Sequence, residues 1–121
     1  MHGRSFLIGA HALLALHLLI WYGWLAPPAR LAALAIALVP LGLSLACTLR
    51  PGRLGPVLAG YLAFGYLAHG LTELIANPPE RAFAAMELVL SALLLGASIA
   101  ALRGRQHRLD ERDGEPPLGG E

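Results

Sequence analysis

Apolar positions along this chain run together instead of alternating. Four stretches, 6–26, 31–49, 54–76 and 82–102, are almost wholly apolar and are bounded by proline, glycine or arginine. About 20 residues rising 1.5 Å each cross the hydrocarbon core of a bilayer, so each stretch predicts a membrane-spanning helix. Strands of a membrane barrel are about half that length and alternate apolar with polar positions, a pattern missing here. The connectors "PPAR", "RPGR" and "NPPER" are short and turn-forming. Short connectors make neighbouring helices antiparallel, so residues 1–103 predict an all-α integral membrane four-helix bundle of two helical hairpins.

The first stretch follows Arg4 much as the apolar core of a signal peptide would. Its length, and its ending in "WYGWLAPP" without a small-residue cleavage site, predict a retained helix. Past Leu102 the chain changes to "RGRQHRLDERDGEPPLGGE", mixed in charge and poor in apolar residues. Residues 104–121 are therefore expected to form a disordered tail, ordered at most to about Arg108, whose first arginines sit at anionic headgroups.

Composition sharpens this picture. The chain is 56% hydrophobic and only 14% charged, against roughly 25% charged in soluble domains. A net charge of +1 leaves no basic surface for phosphate backbones and excludes nucleic acid as a partner. The single cysteine, Cys47, excludes an internal disulfide and a cysteine-based zinc cage. All nine basic residues are arginines, unevenly placed: Arg4, Arg50, Arg53, Arg103, Arg105, Arg108 and Arg112 fall at one end of the predicted bundle, and only Arg30 and Arg81 at the other. The positive-inside rule then places both termini in the cytoplasm and the proline-bearing tips outside. Trp21, Tyr22 and Trp24 would lie at the outer headgroup level, where amphipathic rings are favoured.

The two tips resemble each other, "LAPPARLAAL" at 25–34 and "NPPERAFAAM" at 77–86, which admits an internal duplication of the hairpin. Any such hairpin also favours proline at a helix start, so the likeness has a simpler source. Pro40 should kink the second helix. Gly42, Ser44, Ala46 and Cys47 beside it, and the stripe Ala92, Gly96 and Ala100 on the fourth helix, are small enough for close helix packing, most simply within the bundle.

Ionisable residues within spans call for partners or a wet cavity, because each costs roughly 2.5–3.5 kcal/mol on insertion scales. His69 and Glu73 share one face of the third helix, with Tyr66 a turn further in. Glu87 lies on the fourth helix with Ser91 and Ser98 at helical spacing, and His17 lies near the middle of the first, with His11 on a different face. Counting back from the outer ends at 1.5 Å per residue puts Glu73 about 5 Å deep, Glu87 about 8 Å, His69 about 10 Å and His17 about 14 Å. The candidate intramembrane polar cluster is therefore His17, Tyr66, His69, Glu73, Glu87 and Ser91. It admits four uses: interhelical hydrogen bonding that fixes register, a proton or ion path, a metal site on His69, Glu73 and Glu87, or haem held between His17 and His69. No HExxH spacing supports the metal, and the two histidines differ in depth, so no cofactor is expected. No nucleophile–base triad, P-loop or dinucleotide fingerprint is present, and no enzymatic activity is expected.

The run "HGLTE", then "NPPER", then "MELVLSALLLGASI", together with "HLLIWYGWLAPP" in the first helix, resembles the small bacterial inner-membrane proteins grouped as domain of unknown function 2069. The resemblance spans roughly 6–103 and implies a four-helix inner-membrane protein without an assigned activity. It marks His69, Gly70, Glu73, Glu80, Arg81 and Glu87 as motif positions without roles. The expected function is that of a non-enzymatic accessory or assembly subunit, partnered by the bilayer and by a membrane protein or a second copy of the chain. The alternatives are an oligomeric transporter or proton-conducting unit, and a metal or haem binder.

Overall fold

A computed structural model describes residues 2–25 and 30–114; at 24, 25, 30 and 31 it describes the backbone alone. The described residues are helical apart from short turns, with α1 at His2–Ile20, α2 at Arg30–Leu49, α3 at Leu54–Ala76 and α4 at Arg81–Asp113. A π-helical turn, Trp21–Leu25, extends α1, and a 3₁₀ turn, Pro78–Glu80, leads into α4. Four helices are long and apolar enough to cross a membrane. The predicted α3 coincides with the observed one. The tip at 26–29, and with it half of the comparison between the two tips, lies outside the described residues.

The helices close a ring: α1 packs on α2 and α4, and α3 on α2 and α4. Buried positions step by three and four residues, as Leu7, His11, Leu14, Leu18 and Trp21 on α1 and Ala84, Glu87, Ser91, Leu94 and Ser98 on α4. Leu41, Ser44 and Thr48 do the same on α2, and Ala59, Ala63 and Tyr66 on α3. This is the spacing of a left-handed supercoiled bundle, in which one seam of each helix faces its neighbours. Large apolar residues off the seam, such as Ile36, Tyr61, Phe64 and Ile75, are exposed on α2 and α3. An apolar exterior of this kind is what lipid requires and water would not tolerate.

Three expectations are refined or corrected. Trp21 is fully buried and faces the bundle, while Tyr22 is half-buried against the core; the belt argument concerns depth, whereas the three–four spacing from Leu14 and Leu18 turns residue 21 inward. The side chain of Trp24 lies outside the described residues. Ala92, Gly96 and Ala100 are exposed and do not pack within the bundle, because α4 presents the face carrying Glu87 and Ser91. Gly42 and Ala46 are likewise exposed. Finally, α4 does not stop at Leu102 but continues through Asp113. Arginine, glutamine, leucine and glutamate there are good helix formers, and the first proline comes only at Pro116. His107 and Glu111 pair along that extension at 3.7 Å. Residues 115–121 lie outside the described residues.

The α2–α3 hairpin depends on a close backbone approach. A Cβ added at Gly55 would lie 2.4 Å from the Thr48 Cα and 2.5 Å from its nitrogen, so only glycine fits. Gly55→Ala should therefore destabilise the protein by about 1–3 kcal/mol, as overpacking does, measured as unfolding in mixed detergent micelles. An unchanged transition would mean that the two helices are not so tightly joined.

Candidate functional site

The site lies in the half of the bundle nearer the Asn77 tip. Glu87, on the seam of α4, is fully buried. Its two carboxylate oxygens lie 3.1 and 3.0 Å from Nδ1 of His69 on α3. The other ring nitrogen of His69, Nε2, is 2.8 Å from the Tyr22 hydroxyl at the end of α1. With Nδ1–H donating to the carboxylate, a neutral imidazole has Nε2 as acceptor and Tyr22 as donor. Three helices thus supply one hydrogen-bonded chain, Tyr22–His69–Glu87.

Aromatic rings surround it. Trp21 stacks on Tyr22 with centroids 5.1 Å apart, lies 6.1 Å from His69, and donates its indole N–H to Glu80 at 2.7 Å. Phe83 also stacks on Trp21, 6.1 Å away. The indole thus neighbours both histidines, His17 at 5.7 Å and His69 at 6.1 Å.

A cavity of about 510 Å³ opens beside this chain. Tyr22, Tyr66, His69, Glu73 and Glu87 form its polar part, and α2 contributes Ala33, Ile36, Ala37 and Pro40 to an apolar wall. Tyr66 is turned by a hydrogen bond to the Ala37 carbonyl. That bond ties α3 to α2 one turn before Pro40.

Of the residues singled out in the sequence, His69 and Glu87 touch, and Tyr66 and Glu73 line the same cavity. Glu73 bonds to Asn77 one turn on, at 3.3 Å, and not to His69. The question posed by a histidine and a glutamate four residues apart is answered across the bundle: the histidine serves the carboxylate of a different helix. His17 stands apart, bonded to the Phe83 carbonyl at 3.0 Å and tilted against Trp21 at 5.7 Å. Ser91 lies one turn along α4 from Glu87, buried, with no hydrogen-bond partner for its hydroxyl among the described residues. Ser91→Ala should consequently raise stability by about 1 kcal/mol by removing an unsatisfied polar atom; a loss in a thermal unfolding assay would instead show that the hydroxyl has a partner such as bound water.

Sequence reasoning missed the role of Tyr22. It also missed a second buried pair nearer the chain termini: His11 bonds to the Leu7 carbonyl at 2.8 Å and to Ser44 at 2.9 Å, joining α1 to α2. The three–four spacing of His11 with Leu7 and Leu14 was the available signal. Among the described residues no group of three or more histidine, cysteine or acidic side chains is arranged to hold a metal. Both nitrogens of His69 are engaged by protein, and His17 faces a carbonyl, so the pair is not set to clasp a haem between them.

A ring of four apolar helices around a buried carboxylate held by a half-buried histidine defines an integral membrane protein. More particularly, the chain belongs to the family described as predicted membrane protein (DUF2069), whose model matches residues 6–106. No match was found among curated proteins or among solved structures.

Proposed function

We propose that this protein is a non-enzymatic accessory subunit of an inner-membrane complex, and that the cavity beside Glu87 is its working part, taking a membrane-dissolved amphiphile. One observation carries this reading: five polar side chains gather in one part of a cavity that is otherwise apolar. Cavities of about 300–1,000 Å³, apolar with a few convergent polar groups, are the usual form of small-molecule sites. An alkyl or isoprenoid tail suits the α2 wall, and a hydroxyl or carbonyl head suits Tyr22, His69 and Glu73. The arginine asymmetry supports a cytoplasmic location for both termini, which puts this cavity in the outer leaflet. A non-enzymatic role is supported by the short connectors, which build no site outside the membrane.

The test is native mass spectrometry of the full chain released from mild detergent without stripping. Wild type should retain an organic mass, and Gly65→Phe should lose it, since Gly65 lines the cavity and an added Cβ there meets open space. Equal and empty spectra for both proteins would end the ligand reading. A specific partner subunit should copurify; full function as a lone monomer would end the accessory reading.

The Tyr22–His69–Glu87 chain favours a second reading, proton passage, because intramembrane glutamate and histidine are common relay groups. It requires proton flux in liposomes that Glu87→Gln abolishes, whereas the ligand reading requires none.

A further inference from the structure

At the opposite end of the bundle three segments converge on a second pocket, of about 490 Å³. The first turn of α1 supplies Arg4, the α2–α3 connector supplies Arg50, and α4 supplies Arg105 and Arg108. Along α4 the lining positions Ala100, Ala101, Gly104, Arg105 and Arg108 are spaced by one, three, one and three residues, so one face of the helix looks into the pocket. The unexpected continuation of α4 past Leu102 is what brings the last two arginines there.

Among the described residues no carboxylate lines this pocket. The acidic residues of the α4 extension stand beside it: Asp110 and Asp113 line an adjoining pocket that shares Arg105 and Arg108 and adds Arg53, and Glu111 pairs with His107. Among the described residues, no arginine lies within 4.0 Å of a carboxylate. Two of the four guanidinium groups are held by backbone. Arg4 donates to the Thr48 and Leu49 carbonyls at the C-terminal end of α2, and Arg108 to the Gly104 carbonyl at 3.2 Å. The side chains of Arg50 and Arg105 make no hydrogen bond to protein among the described residues. The floor is small: Gly3 packs on Ala101, where a Cβ would come within 3.4 Å of its Cα, and Gly104 faces open space. Like charges gathered with no carboxylate paired to any of them repel one another unless an anion sits between them.

We propose that this pocket binds the phosphate of an anionic phospholipid. Arginine suits phosphate because its planar donors engage two oxygens at once. Basic pockets between spanning helices are a recurring form of headgroup site. A lipid is the favoured source because the pocket opens where the apolar stretches of α1 and α4 end, so an acyl chain can follow those helices while the headgroup enters. The volume accepts a whole headgroup instead of a bare ion. The pocket is separate from the cavity beside Glu87, and neither assignment depends on the other.

The experiment uses the full chain in nanodiscs and compares phosphatidylglycerol with phosphatidylcholine by native mass spectrometry of the lipids retained on release. Wild type should retain phosphatidylglycerol selectively. Arg105→Gln/Arg108→Gln keeps good helix formers and should weaken that retention about thirtyfold, since each basic side chain at a membrane surface contributes about fivefold. Arg53→Gln, at the same end but outside the pocket, should change it little. Equal retention of the two lipids overturns the proposal. So does equal loss in the Arg53 variant, which would reduce the effect to general surface charge. In detergent, inorganic phosphate that stabilises the wild type as strongly as phosphatidylglycerol, and more than chloride at equal ionic strength, overturns the lipid source while leaving a phosphate site.

Discussion

Replacing Trp21 with alanine is expected to cost about 3 kcal/mol of stability, the lower end of the range for deleting a buried tryptophan side chain. Trp21 is fully buried and touches Tyr22, Phe83, His17 and His69 through its ring. The low end applies because lipid is as apolar as a bundle interior, so little hydrophobic transfer is lost and the cost is that of the void. Trp21→Phe keeps most of the packing but abandons the indole N–H bond to Glu80, and should cost about 1 kcal/mol. Tyr61, 75% exposed on α3, provides the contrast: Tyr61→Ala should fall within about 0.5 kcal/mol of wild type. Unfolding in mixed micelles separates the cases. If Trp21→Ala behaved like Tyr61→Ala, the ring would lie in a lipid-facing belt and the aromatic cluster would not exist.

That contrast also marks what the amino-acid order reveals. Helix number and most ends follow from the apolar runs, because a bilayer fixes their length. The inward face is harder. In a helix apolar all round, Leu13 and Leu16 are exposed while Leu14 and Leu18 are buried, and hydropathy does not separate them. The signal resides in the small and polar residues: Ser44 and Thr48 on α2, Ala59 and Ala63 on α3, Glu87, Ser91 and Ser98 on α4, all on the seam. Reading aromatic residues by depth alone left open that Trp21 turns inward. Reading the polar composition after Leu102 as disorder overlooked its helix formers and the lack of proline before Pro116.

The site was legible in level but not in pairing. Counting residues placed His69 and Glu87 within about 2 Å of the same depth, and they meet at 3.0 Å. Nothing in the spacing of His69 and Glu73 says that the histidine turns to α4 while Glu73 turns to Asn77. That choice follows from the ring closure of the bundle, which sets α4 beside α3 and puts the seam residue Glu87 within reach. Tyr22 enters the chain because α1 continues as a π-helical turn through Leu25.

Glu87→Ala should cost about 2–3 kcal/mol, because it leaves His69 without the acceptor for Nδ1–H. Breaking a fully buried ion pair costs 3–5 kcal/mol, and the lower figure reflects a His69 side chain that is 40% exposed and can turn toward the cavity. His69→Ala leaves the buried carboxylate alone and should cost as much or more. The double variant should cost less than the two singles added together, by about 1–2 kcal/mol, the usual coupling of residues in contact. Glu87→Gln is more informative still. An amide offers His69 one acceptor and one donor, so the ring can keep its tautomer or reverse it. In the reversed form Nδ1 accepts from the amide and Nε2–H donates to Tyr22, inverting the chain at a cost of about 1 kcal/mol. Nitrogen-15 NMR of the His69 ring distinguishes the two forms directly. Strict additivity of the double variant, or a His69 spectrum unmoved by Glu87→Ala, would show that the pair is only a neighbourly contact and would remove the basis for both proposed uses of the site.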